Sequence, residues 1–243
     1  MGKNLAQQIG LPAIQPSLAG GTDFAYGSAE TGQTPVHTLS PTDLPSQYSQ
    51  FLTQVPSPQP GALYAIWIGS NDVLDVANDS SLTPDQQKAD VAAAVNNEVS
   101  VINGLVAHGA QKFLVLNVPD LGATPYEVAR GPAVAQSATE LSKLYNAELA
   151  DAVKQLQASG ALKVDLVDMF SVLDQTAADP AAHGFTNVTD PVWTGNVTDP
   201  SSGELRATGA AQDQFLYFDA LHPTAHAHAE LASGIAPTLA AVA

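Results

Sequence analysis

The chain has 243 residues with 24 acidic against 8 basic side chains, a formal charge of −16, and 45% apolar and 13% charged residues. That is the composition of one globular domain with a full core, and its acidic surface repels phosphate backbones and anionic headgroups, which excludes nucleic acid as a partner. There is no cysteine, hence no disulfide framework, thiolate metal site or thiol nucleophile; no apolar run is long enough for membrane insertion, and the N-terminus lacks the apolar core of a signal peptide.

In chain order, residues 8–32 are glycine-rich, and Gly20 to Ala29 reads as a short strand running into a tight turn at Gly27-Ser28. Residues 33–60 hold six prolines and read as surface connection with a short helix around Pro45–Phe51. Ala62–Ile68 is a continuous apolar run of buried-strand length that ends at Gly69-Ser70-Asn71-Asp72. Thr83-Pro84-Asp85-Gln86 opens a helix with a capping box, Val91, Val95, Ile102 and Leu105 line one side, and Gly109 stops it. Lys112–Val118 is a second strand, and a helix over 133–158 carries Leu141, Leu144, Tyr145, Leu149, Val153 and Leu156 as its apolar stripe, with Gly160 as its stop. Val164–Phe170 alternates as an edge strand. Residues 174–214 read as a long irregular segment, and Pro223 opens a last helix reaching about 242. Strands alternating with helices make a single α/β domain over residues 1–243 with a mainly parallel sheet.

Three stretches have chemistry. In Phe218-Asp219-Ala220-Leu221-His222-Pro223, an imidazole and a carboxylate stand three residues apart, so that His222 can act as a general base oriented by Asp219. Asn71 stands at the C-terminal end of a parallel strand, where open α/β sheets place their sites, and its amide can meet a developing oxyanion. The glycine turn at Gly27 and Ser28 offers backbone N–H groups for the same purpose. His222 and His226 are one helical turn apart, yet the Glu of a His-Glu-x-x-His motif is absent, and neither a metal nor an organic cofactor is expected.

In this order and spacing the stretches resemble the SGNH, or GDSL-type, esterase/lipase family, over about residues 8–243. Gly20 to Ala29 is similar to the family's second block, Gly69-Ser70-Asn71-Asp72 to its third, and Asp219-Ala220-Leu221-His222-Pro223 to its fifth; Asn117 to Gly122 and Asp179 to Val188 also look typical. The resemblance implies a three-layer α/β/α fold with a flavodoxin-like sheet. It implies hydrolysis of small-molecule esters by a Ser-His-Asp mechanism, and an exported protein. Asp219 and His222 take the catalytic positions, and Asn71 with Gly27 or Ser28 the oxyanion positions. The family's opening block, which carries the nucleophile, has no counterpart: no Gly-Asp-Ser occurs, Asp23 stands where Asn is usual, and Ser28 stands where a second Gly is common. Ser28 is the candidate for a relocated nucleophile. The alternatives are a non-catalytic remnant or a fragment that binds an ester or glycan without turnover. With the first strand missing from between the segment near 22–26 and the strand at 62–68, the Trp67-bearing strand is expected to expose an unpaired edge, through which the chain forms a homo-oligomer or rearranges its sheet.

Overall fold

A computed structural model of the chain describes residues 1–158, 160, 162–196, 199 and 201–240. Its elements are α1 (Gly2–Gln8), α2 (Leu44–Gln54), β1 (Leu63–Trp67), α3 (Ser70–Asn78), α4 (Pro84–Ala107), β2 (Lys112–Leu116), α5 (Pro125–Ala129), α6 (Pro132–Gln157), β3 (Lys163–Val167), α7 (Met169–Ala178), β4 (Asn187–Pro191), β5 (Phe215–Tyr217) and α8 (Ala225–Ala240). They group into two compact units. The first is Gln15–Leu121 with Gln136–Phe170, and the second is Met1–Ile14, Gly122–Ala135 and Ser171–Ala243.

The first unit holds a parallel sheet in the order β1-β2-β3, with Ala65 opposite Leu114 and Leu114 opposite Asp165. Every residue of β2 from Phe113 to Leu116 is fully buried. Phe113 and Val115 join one core with Val91, Val95, Ile102 and Leu105 of α4 and Leu141, Tyr145, Leu149 and Val153 of α6. Leu114 and Leu116 point to the opposite face and are equally buried, so both faces of the sheet are covered, as the three-layer α/β/α fold requires. β1 pairs with β2 alone among the described residues, and its Ala65 is exposed, so the Trp67-bearing strand is an edge as expected. The Thr83–Gln86 capping box forms, with the Thr83 hydroxyl accepting from the Gln86 N–H.

Three expectations need correction in this unit. Residues 20–26 form no strand: a 3₁₀ turn over Ser17–Ala19 ends at Gly20 with φ +78, and one bridge joins Pro16 to Asp23. The segment is anchored by aromatic packing instead of a ladder. Phe24 meets Phe51 edge-on at 5.5 Å, Phe51 meets Tyr64 at 5.9 Å, and Tyr64 lies 5.7 Å from Phe113. The stretch after β1 begins a helix, α3, that the expected elements did not include. The third strand ends at Val167, because Asn117 Oδ1 accepts from the Met169 and Phe170 N–H groups and so caps α7, which begins at Met169.

In the second unit the stretch expected to be irregular carries most of α7, a 3₁₀ turn at Pro180–His183 and the two parallel strands β4 and β5. Residues 197, 198 and 200 of that stretch, and 241–242 of the expected last helix, lie outside the described residues. α8 starts two residues after Pro223, because the Thr224 hydroxyl accepts from the Ala227 N–H and caps it. Ala227, Leu231, Ala232, Ile235 and Leu239 form its buried stripe. α1, absent from the expected elements, packs against α8, with Gln8 donating to Ser233 at 2.9 Å. No helix among the described residues is long and apolar enough to cross a membrane.

Candidate active site

The Asp219–His222 loop belongs to the second unit and is built by its own backbone. Phe218 N–H donates to the His222 carbonyl (2.7 Å), closing a tight loop around the Asp219 side chain. Asp219 Oδ1 accepts from the N–H groups of Leu221 (2.8 Å) and His222 (2.7 Å), and both carboxylate oxygens meet His222 Nδ1, at 3.0 and 2.9 Å. α5 and the segment just after β4 brace the loop from outside, through Tyr126 N–H to the Ala220 carbonyl (2.9 Å) and a bond from Trp193 N–H to the Phe218 carbonyl (2.7 Å). Asp219 is nearly buried while the His222 side chain is 68% exposed, and its Nε2 has no hydrogen-bond partner among the described residues. Burial pushes the Asp219 carboxyl up, but the bonds from His222 and Leu221 more than offset it and leave it below the ordinary carboxylate value. The same contact holds the His222 imidazole above its ordinary value, against the effect of burial. A base whose Nδ1–H is fixed and whose Nε2 faces solvent is set up to take a proton.

Asn71 and the glycine turn lie in the first unit, and there the structure brings them together. Asn71 Nδ2 donates to the Ala29 carbonyl at 2.8 Å, which uses one of its two N–H donors and leaves the other. Next to it, the buried Asp72 carboxylate accepts the Thr31 N–H (3.1 and 3.2 Å) and the Thr31 hydroxyl (2.6 Å). The two side chains at the start of α3 therefore grip residues 29–31 from adjacent positions. Gly27 and Ser28, just before the gripped segment, form an exposed turn in which Ser28 has φ +57, the one left-handed non-glycine residue described. That backbone explains why glycine is common at this position in the family that the sequence resembles.

The cradle rests on an arrangement that sequence reasoning missed. Gly69, with φ +101, lets the chain turn from β1 into α3, and a Cβ there would collide with the Tyr145 ring. Tyr145 is held by its hydroxyl, which donates to Glu98 Oε2 at 2.6 Å in a fully buried pair. Burial raises Glu98 to about 8; the Tyr145 bond opposes this and the Asp72 charge adds to it, so Glu98 is a neutral acid at pH 7. Burial likewise raises Asp72 to about 6, against its Thr31 bonds. A signal for Glu98 was present, since it is the one charged residue on the apolar side of α4 between Val95 and Ile102.

The family model described as GDSL-like Lipase/Acylhydrolase matches residues 2–235 and runs through both units; the chain belongs to that family. Among curated proteins it is similar to a GDSL esterase/lipase of Arabidopsis thaliana, at 25% identity over 70% of this chain and 50% of that protein. It is similar to an inactive GDSL esterase/lipase-like protein of the same plant at 23% over 93% of this chain and 57% of the other. It is also similar to the phosphatidylcholine-sterol acyltransferase of Aeromonas hydrophila, at 28% over 63% of this chain and 42% of that protein. The chain thus spans about half the length of the curated relatives it matches.

Proposed function

We propose that the chain is a carboxylic ester hydrolase in which His222 is the general base, Asp219 orients it, and Asn71 with the backbone N–H of Gly27 or Ser28 stabilises the oxyanion. The observation that carries this reading is the Asp219–His222 pair, with Nδ1 fixed by the carboxylate at 2.9 Å. In the reaction, His222 Nε2 takes the proton of a serine hydroxyl as its oxygen attacks the acyl carbonyl, and returns it to the departing alcohol. Water then repeats the cycle on the acyl-serine. The free Asn71 N–H meets the tetrahedral oxyanion, a contribution of about 3–4 kcal/mol per donor in such sites. Ser28 is proposed as the nucleophile of this chain. The acidic surface favours neutral short-to-medium acyl esters over anionic ones.

A fluorophosphonate probe followed by peptide mass spectrometry tests this. A single labelled serine, lost as a reactive site in His222→Ala, is the expected result. No labelling of a folded chain would leave the second reading, ester or glycan binding without turnover, which is supported by the lack of any Gly-Asp-Ser. We further propose that the open edge of β1 pairs with a second copy of the chain. A strict monomer in light scattering would remove that proposal.

A further inference from the structure

Away from the Asp219–His222 loop, the first unit gathers an unusual set of side chains around one imidazole. Residues 30–43 form a loop that closes on itself: Glu30 N–H donates to Asp43 Oδ1 (3.1 Å), Leu44 N–H donates to the Glu30 carbonyl (3.0 Å), and Ser40 N–H donates to Asp43 Oδ2 (2.6 Å). His37 sits inside it. Its Nε2 lies 2.8 Å from Asp43 Oδ2 and its Nδ1 2.9 Å from Glu30 Oε1. From α3, Asp75 reaches the same point, and one donor atom each of Glu30, His37 and Asp75 lie within 4.8 Å of one another.

We propose that Glu30, His37 and Asp75 bind one divalent transition-metal cation, with Asp43 as the residue that orients the imidazole. Asp43 is fully buried and holds the Nε2–H, which fixes the tautomer whose Nδ1 lone pair points at Glu30. A carboxylate behind a ligating histidine is the usual partner that sets ring orientation and raises ligand basicity. In that tautomer a lone pair and a carboxylate oxygen face each other at 2.9 Å, which is repulsive unless a proton or a metal cation lies between them. The spacing is that of neighbouring ligands around a cation with bonds of about 2.1 Å, which sit about 3 Å apart.

A proton on Nδ1 would satisfy the His37–Glu30 contact, but it leaves Asp75 as a further carboxylate against the same point. It also leaves Asp90, which enters from α4. Asp90 is 1% exposed, and its Oδ1 accepts the Val36 N–H at 3.0 Å beside His37. Its Oδ2 has no hydrogen-bond partner among the described residues, while the Thr34 side chain, the Val36 N–H and the charges of Asp75 and His37 act on the carboxylate. A cation or its bound water at the cluster would supply the partner that this buried carboxylate oxygen lacks. One imidazole nitrogen, two carboxylates and no sulfur fit Mn²⁺ or Zn²⁺ better than Ca²⁺ or Mg²⁺, which prefer all-oxygen sets. Entry is open, since Asp75 is exposed and borders a shallow depression shared with Val36, Asn78 and Asp79. The bound ion would tie the 30–43 loop to α3, and the site does not depend on the hydrolase reading.

The test uses the full chain, stripped with a chelator and exchanged into metal-free buffer, then titrated with MnCl₂, ZnCl₂, CaCl₂ or MgCl₂ by calorimetry and thermal unfolding. The expected result is one Mn²⁺ or Zn²⁺ per chain with a raised Tm, and weaker or absent binding of Ca²⁺ and Mg²⁺. Asp75→Asn should weaken binding at least tenfold while the metal-free chain stays folded, because that side chain is exposed. Asp43→Asn should weaken it about 10–100-fold. Asp85→Asn, an acidic change at the start of α4, should leave it unchanged. If no saturable binding occurs up to about 1 mM, a limit that only very weak sites exceed, the proposal is overturned. Binding that Asp75→Asn and His37→Gln leave intact would overturn it equally, by placing the ions on scattered surface carboxylates.

Discussion

The two regions that carry the candidate site residues, one in each unit, are specified in opposite ways. In the Asp219–His222 loop the bonds that shape the carboxylate and imidazole span two to four residues, and the base itself is mostly exposed. In the Asn71 cradle the partners are 41 and 42 residues away in sequence, and the Tyr145–Glu98 pair that supports Gly69 spans 47. A locally closed loop keeps its geometry as long as its own backbone does. A cradle made from distant segments exists only while the core around it is packed, so the same kind of substitution costs far more there. The carboxyls of the two regions also titrate with opposite sign. Asp72 and Glu98 are raised, so the stability they contribute is present at low pH and lost as pH rises, whereas Asp219 is lowered and loses its contribution as pH falls.

The largest break in the cradle is expected from Gly69→Ala. The added methyl group needs a left-handed backbone and the space already filled by the Tyr145 ring, a combined cost of about 3–5 kcal/mol. The urea midpoint should drop accordingly at constant slope. Asp72→Ala comes next, at about 2–4 kcal/mol, because it leaves the Thr31 N–H and hydroxyl buried without an acceptor. Glu98→Gln sharpens the electrostatic side. Its carboxyl moves from 4.5 to about 8 on folding, so its share of stability is complete below pH 4.5 and disappears as pH rises through 8. Unfolding free energy measured from pH 4.5 to 8 should fall less steeply in Glu98→Gln than in the parent chain, and the decline that remains comes from other raised carboxyls such as Asp72.

The same contrast explains what could be read from the residues alone. The strands at Leu63–Trp67 and Lys112–Leu116, the capping box at Thr83 and the apolar stripes of α4 and α6 are local patterns with one physical solution, and they were legible, although the first strand is an edge with Ala65 exposed and not the buried strand its apolar run suggested. So was the Asp219–His222 pair, whose geometry follows from a loop of five residues. Asn71 could be placed at a strand end, but not its bond to Ala29, since nothing near either residue encodes a partner 42 positions away. Helix α3 was hidden because Gly69-Ser70-Asn71-Asp72 is polar and turn-like, and only the burial of Val73 and Val76 against the core makes it helical. Residues 20–26 misled for the reverse reason: their apolar positions serve an aromatic cluster and not a sheet. Tyr145 was visible as core, yet its hydroxyl acquires a purpose only once Glu98 is known to face it.

The smallest structural effects belong to the local loop, and they separate stability from function. Asp219→Ala removes the acceptor of two backbone N–H groups and should cost about 1–2 kcal/mol, and the parent's Asp219 contribution, present above pH 3.8, should vanish on acidification in the intact chain only. His222→Ala removes a ring that is 68% exposed and, among the described residues, bonded only to Asp219. Its contribution is present below pH 6.5 and lost as pH rises through its raised folded value, and solvent screening keeps it below about 0.5 kcal/mol. Thermal unfolding of His222→Ala should therefore superimpose on that of the parent, while the ester turnover and serine labelling that the proposed function calls for should be absent from this variant. A loss of Tm comparable to that of Asp72→Ala would mean that the loop is not held by its own backbone but by contacts through the imidazole. In that case the exposed Nε2 would be part of the scaffold, and its availability as a base would have to be argued on other grounds.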